Sequence, residues 1–211
     1  MTIFLSFPFF SPFFLIFTTR MSRDTILIQI QASNAFAFCM IYIYLYELYR
    51  KVAVIMSETF ASLSALEQEL TFSSFSRADA LRLGLLINKA SQGYPAPIAS
   101  EIVINGLTVF RYFQDGARPD SELWLERKRN AGELMQMGSL CFGCMLEESG
   151  ESLEGRKLNA DDFAPGGGGM PIVLAGTGMI GSVCVSGEPN HLDDQAIVVK
   201  ALRQLKAEKE G

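Results

Sequence analysis

The four glycines at 166–169 run directly into Met170-Pro-Ile-Val-Leu-Ala-Gly-Thr-Gly-Met-Ile-Gly-Ser-Val-Cys-Val-Ser-Gly187. A backbone without Cβ atoms, followed by two apolar stretches around a glycine turn, constrains this segment to a sharp bend entering a β-hairpin. A second hairpin is announced by Asn105-Gly106, because both central residues of a type I′ turn need positive φ. Its strands are expected at 98–104 and 107–113. In that register Ile104 faces Leu107 and Ile102 faces Val109 on the buried side, and Glu101 lies opposite Phe110 on the other.

Helical patterns surround the two hairpins. Ser64 and Glu67 have capping-box spacing and predict a short helix to about Phe72. Ser76 and Asp79 repeat the spacing before an inner stripe of Ala80, Leu83, Gly84, Ile87 and Ala90, and Gly93 stands where a left-handed terminator belongs. Asp120 is placed to cap a helix over 121–137 with Trp124, Ala131, Leu134 and Met135 as its apolar stripe. Gly138-Ser139 breaks it before a second piece at 140–148, and Asp161-Asp162 opens one helical turn before the glycine run. Asn190 and Asp193 have cap spacing for a last helix with Ala196, Val199, Leu202 and Leu205 inward, fraying from Lys206. Helices before, between and after antiparallel hairpins give an α+β layer rather than an alternating parallel fold. An uncovered sheet edge would favour self-association.

Residues 1–55 are different material. The stretch 3–17 is nearly all apolar but carries Pro8 and Pro12, and a second apolar block spans 35–46. Arg20, Arg23, Arg50 and Lys51 oppose only Asp24 and Glu47 there. A signal peptide needs a basic start, which is missing, and a membrane helix needs about 20 apolar residues, which neither block supplies. The expectation is an apolar N-terminal extension at 1–55, spurious or disordered, membrane-associated only if it is genuine. Met56-Ser57-Glu58 then opens an α+β domain at 56–211.

Composition narrows the function classes. A formal charge of −5 gives no reason to expect nucleic acid, which needs a basic surface. Four cysteines (Cys39, Cys141, Cys144, Cys184) do not resemble a secreted disulfide framework, which points to a reduced cytoplasmic setting. Cys141-x-x-Cys144 is half of a zinc or redox motif without its second half, and reads better as a core-facing pair.

Three features are candidates for ligand binding, each beside a structural alternative. Gly167, Gly168 and Gly169 can offer main-chain amides to an anion or flat ligand, or can simply bend the chain into the sheet; no phosphate-loop lysine follows them. Trp124, Arg127 and Lys128 can form an anion site beside an indole, or the basic run 127–129 can be a solvated face paired with Glu126 and Glu133. His191, the single histidine, can ligate or act as a base, or can be a surface or capping residue at a helix start.

Four pieces carry a family resemblance: Asp79-Ala80 with Leu83-Gly84; Asn105-Gly-Leu-Thr-Val-Phe110; Trp124-Leu-Glu-Arg-Lys-Arg-Asn130; and Gly168-Gly-Met-Pro-Ile172 with Gly181 and Val185-Ser-Gly187. Through them, residues from about Leu66 to Leu205 resemble the haem-degrading-domain (GlcG/HbpS-like) family, in a branch of uncharacterised proteins. The resemblance implies an α+β fold, an antiparallel β-sheet of hairpins flanked by helices in a profilin-like layered architecture, and a homo-oligomer. It implies a small-molecule ligand, with haem or another planar or anionic molecule as the cofactor expectation. Relatives commonly carry an Asp-His pair after the Gly-x-Pro turn. Here the histidine is displaced to His191, and Asp194-Gln195 stands nearer its place. The leading expectation is a small-ligand-binding oligomer. Its alternatives are a non-catalytic interaction or scaffold protein, and a haem-degrading enzyme.

Overall fold

The computed structural model describes residues 58–210, together with three short strands nearer the N-terminus. Those strands, β1 (Thr2–Ile3), β2 (Ile16–Ser22) and β3 (Thr25–Gln31), pair antiparallel in that order. The chain divides into two units, Met1–Ser57 and Glu58–Gly211. The second apolar block at 35–46 and Cys39 lie outside the described residues. Among those described, no helix is long and apolar enough to cross a membrane.

The second unit begins with α1 (Phe60–Glu69) and α2 (Arg77–Ala90). The hairpin β4 (Ala99–Ile104) and β5 (Leu107–Phe113) follows. Next come α3 (Ser121–Met135) and α4 (Ser139–Ser149), then the hairpin β6 (Gly169–Leu174) and β7 (Gly178–Ser186). The last element is α5 (His191–Glu210). The four strands form one antiparallel sheet in the order β5-β4-β7-β6. This is the expected α+β layer.

Alternation along the strands sorts side chains to two covered faces. Ile102, Val183 and Val185 point to one face and pack with Leu83 and Ile87 of α2 and Ile197 and Leu202 of α5. Each such aliphatic side chain, fully withdrawn from water, contributes ~1.5–3 kcal/mol. The opposite face lies under α3, where Ala99, Cys184 and Leu125 form a smaller cluster.

The first hairpin turns as expected, with Asn105 at φ 50° and Gly106 at φ 76°. Its register differs. Ile104 pairs with Leu107, but a bulge between Ile102 and Val103 shifts the remainder, so Ile102 pairs with Phe110 and Glu101 with Arg111. Glu101 is only 1% exposed, because α3 covers that face. Arg111 and Arg129 bracket its carboxylate, so burial is matched by charge.

Other local expectations also give way to tertiary contacts. The α1 cap is Thr59 with Ser62, a reciprocal capping box, not Ser64 with Glu67. Ser64 instead meets Cys141, and Glu67 accepts the Gly138 amide at 2.8 Å. Ser76 and Asp79 do cap α2. That helix ends in a 3-10 turn at Ser91–Gly93, so Gly93 takes no left-handed φ. Asp120 makes no side-chain cap to α3 and pairs with Arg118. Trp124 and Leu134 are exposed, at 44% and 54%, and the inward stripe of α3 is Leu125, Lys128, Ala131 and Gly132. Residues 160–162 form turns rather than a helical turn. Asn190 caps α5 through the Leu192 amide, Ala196 faces solvent, and the helix continues to Glu210. Lys206 and Lys209 hold that end to the Thr71 carbonyl and Asp79.

Phe72 covers the β6 edge by bridging to Leu174, whereas β5 is an outer strand with Leu107 and Tyr112 exposed.

Candidate functional site

Where β7 ends, the chain turns through Gly187-Glu188-Pro189 into α5, and the N-terminal turns of α3 lie alongside. Loop 152–166 closes the remaining side. Together they enclose a cleft of about 650 Å³, within the usual range for small-molecule sites. Trp124, Phe163 and Leu153 contribute apolar wall, and Lys128, Glu188 and His191 contribute polar groups.

Helix α3 supplies both the wall and its support. The Arg127 guanidinium lies 5.1 Å from the centroid of the Trp124 ring, a cation–π contact. Arg127 Nε also donates to the Asp161 carbonyl at 2.7 Å, and Asn130 donates to the Asp162 carbonyl at 3.0 Å. Arg127 therefore orients the indole and ties down the loop, and it does not line the cleft. The basic run is not a solvated face. Lys128 is 4% exposed, and its ammonium donates to Asp194 Oδ2 and to the Val185 carbonyl, both at 2.8 Å. Arg129 turns to Glu101.

The glycine run is a bend, and three of its four amides are already used. Gly167 N–H donates to His191 Nδ1 at 2.9 Å, Gly168 N–H to Gln195 Oε1 at 2.9 Å, and Gly169 N–H to Ser139 Oγ at 3.1 Å. These three amides are not free to receive an anion. Gly168 requires glycine: its φ is +108°, and a Cβ would stand 2.4 Å from the Val185 carbonyl oxygen. Of the expected site residues, Trp124, Lys128 and His191 line the cleft, while Arg127, Gly167, Gly168 and Gly169 stand behind it as support.

His191 is the first residue of α5 and is exposed. Because Nδ1 accepts from Gly167, the neutral imidazole carries its proton on Nε2, which is then a donor.

Glu188 and Asp194 were not expected. Asp194 Oδ1 accepts the Glu188 amide at 3.2 Å while Oδ2 holds Lys128, so one carboxylate joins α3 to the β7–α5 turn. Burial pushes Asp194 above the ordinary carboxylate range, against the pull of Lys128. Glu188 is 8% exposed; Oε1 accepts the Ala96 amide at 3.2 Å, and Oε2 has no hydrogen-bond partner. Burial pushes its carboxyl upward, with the Ala96 amide opposing. The i, i+3, i+4 spacing of His191, Asp194 and Gln195 is a sequence signal for one functional helix face. Glu188, an acidic residue in a turn, gives no such signal.

Cys141 and Cys144 pack with Leu63 and Leu140, as a core-facing pair should. Among the described residues, no group of three or more His, Cys, Asp or Glu is placed to hold a metal ion.

Residues 75–203, which include all the cleft-lining positions, match the family model described as "Haem degrading protein HbpS-like". The chain belongs to this HbpS-like family. Within it, a UPF0303 protein of Rhizobium etli is 36% identical over 141 residues, covering 67% of this chain and 85% of the relative. A UPF0303 protein of Streptomyces avermitilis is 35% identical over 148 residues, covering 70% and 90%. The HbpS-like fold is also seen in solved structures. Ybr137w superposes with a TM-score of 0.67 at 22% identity, covering 79% of this chain and 97% of its own. HbpS gives 0.52 at 20% identity, covering 65% and 95%. A PduOC:heme complex gives 0.50 at 20% identity, covering 62% and 94%.

Proposed function

We propose that the unit Glu58–Gly211 is a small-ligand-binding domain and that the cleft between α3 and the β7–α5 turn is its binding site. The observation that carries this reading is Glu188. A buried carboxylate oxygen without a partner is costly, and Glu188 stands in the lining of the cleft, where a ligand that brings a donor would relieve that cost. Haem is the ligand suggested by the family and by the PduOC:heme complex. The cleft residues do not fit haem iron. A histidine that ligates through Nε2 carries its proton on Nδ1, and His191 Nδ1 already accepts from Gly167. No cysteine, methionine or tyrosine lines the cleft to replace it.

Trp124 is the single tryptophan of the chain and stands in the cleft wall, so its fluorescence reads occupancy. Native mass spectrometry of the full chain taken from its host should show a bound small molecule, and its release should shift Trp124 emission. A chain that carries nothing, and instead retains a stoichiometric protein partner, would favour the scaffold reading.

We also propose that the protein is a cytoplasmic homo-oligomer. The outer position of β5, with Leu107 and Tyr112 exposed along it, supports self-association. Light scattering of the purified chain tests it: a monomer mass at micromolar concentration would exclude it.

A further inference from the structure

The charges around the cleft are matched in pairs except for one. Arg118 pairs with Asp120 at 3.0 Å, and Lys128 pairs with Asp194 at 2.8 Å. Glu188 lines the same cleft with no cation on its carboxylate among the described residues. Its Oε1 is held by the Ala96 amide, and its own amide is held by Asp194. Oε2 is left as an acceptor with no donor. The surrounding wall is apolar and partly aromatic, through Trp124, Phe163, Leu153 and Pro189. Three of the four glycine amides, those of Gly167, Gly168 and Gly169, are consumed by His191, Gln195 and Ser139.

We infer that the cleft selects a ligand with a primary ammonium head group on an apolar, ring-sized body, and that the Glu188 carboxylate receives the ammonium by turning its buried Oε2 toward the cleft. This rests on the binding-site reading above and adds the ligand class to it. The ammonium supplies both what the site lacks: a hydrogen-bond donor for Oε2 and a positive charge opposite the unmatched carboxylate. An anionic ligand would instead stand beside Glu188, which costs affinity through like-charge contact, and the Gly167, Gly168 and Gly169 amides are not free to compensate. His191 Nε2–H then remains to hydrogen-bond an acceptor elsewhere on the ligand.

The test uses the full chain at pH 7 and three probes of one shape: phenethylamine, phenethyl alcohol and 3-phenylpropanoate. Trp124 fluorescence and titration calorimetry report binding. The amine should bind at least tenfold more tightly than the alcohol, and the carboxylate should be weakest. Glu188→Gln, which keeps the shape and removes the charge, should abolish the preference of amine over alcohol. Glu188→Asp keeps the charge and should retain the order, so a poorly folding glutamine variant would not leave the question open. Equal binding of amine and carboxylate, an amine preference that survives Glu188→Gln, or no response to the amine would overturn the inference. In the first two outcomes the cleft still binds small molecules, and only the ligand class falls. A natural ligand without a donor nitrogen, found by native mass spectrometry, would likewise remove the class and leave the site.

Discussion

The Lys128 ammonium meets the Asp194 carboxylate at 2.8 Å, with only 5% and 3% of the two side chains exposed. One ion pair thus joins the middle of α3 to the first turn of α5, beneath the cleft. Removing one member leaves the other charge buried and unpaired. Lys128→Met is expected to cost ~3–5 kcal/mol of stability, measured by urea denaturation. The double variant Lys128→Met/Asp194→Leu should recover a large part of it. A double variant as unstable as the sum of the singles would show that the pair does not act as a unit.

Glu101 sets a second buried test. Arg111 and Arg129 close on its carboxylate under α3. Glu101→Ala should cost ~3 kcal/mol or more, since it strands Arg129 in a mostly buried position. A change within 0.5 kcal/mol, about the size of a surface substitution, would mean that the arginines relax freely to water.

The unmatched Glu188 predicts a pH effect of definite sign. Burial raises its folded-state pKa above the ordinary 4.5. The folded state then holds the proton longer than the unfolded chain, so stability falls as pH rises from about 4.5 through the raised value. Glu188→Gln removes this dependence. It should therefore be more stable than the natural chain at neutral pH, by an amount on the order of 1 kcal/mol, and the gap should close below pH 4.5. A gap that instead widens on acidification would reverse the argument.

Two glycines should respond oppositely to alanine. At Gly168 a Cβ meets the Val185 carbonyl oxygen at 2.4 Å and Asp194 Cβ at 2.8 Å, with φ at +108°. Gly168→Ala should lose ~3 kcal/mol or more. At Gly93 nothing lies within 4 Å and φ is not positive, so alanine there should be neutral or gain up to ~1 kcal/mol. Thermal melts of both variants check the contrast.

Cysteine reactivity follows burial. Desolvation pushes the Cys141 and Cys184 thiols up to about 12. At pH 8 a mass-mapped maleimide reaction on the native chain should leave both unmodified over hours, with full labelling in urea. Rapid native labelling of Cys184 would mean that α3 lifts from the sheet.

The sequence was most readable where a local rule and the tertiary fold ask for the same thing. Asn105-Gly106 had to turn with positive φ, and the stripe Ala80, Leu83, Gly84, Ile87, Ala90 had to face a core; both do. It was least readable where a distant partner outcompeted a local one. Ser64 and Glu67 look like a cap but serve Cys141 and Gly138. Lys128 looks like solvated charge, because nothing nearby in sequence announces Asp194, 66 residues away. The bulge at Ile102/Val103 left no mark in composition. For the cleft, Trp124 and His191 were visible as rare residues of unusual chemistry. Glu188 became meaningful only once its second oxygen was found without a donor.

His191, Asp194 and Gln195 occupy one turn of α5, and between them they hold Gly167, Gly168, Lys128 and the Glu188 amide. The angular phase of a single helix is thereby written into every border of the cavity floor. Inserting one residue between His191 and Asp194 would rotate Asp194 and Gln195 by about 100° relative to His191 and release Gly168, Lys128 and the Glu188 amide together. Loop 152–163 is held differently, by Arg127 and Asn130 at its end and by Leu153, Leu158 and Phe163 packed against Ala131, Phe142 and Leu146, with no dependence on the phase of α5. A change of length in the loop should therefore disturb the cavity less than one in the helix beneath it.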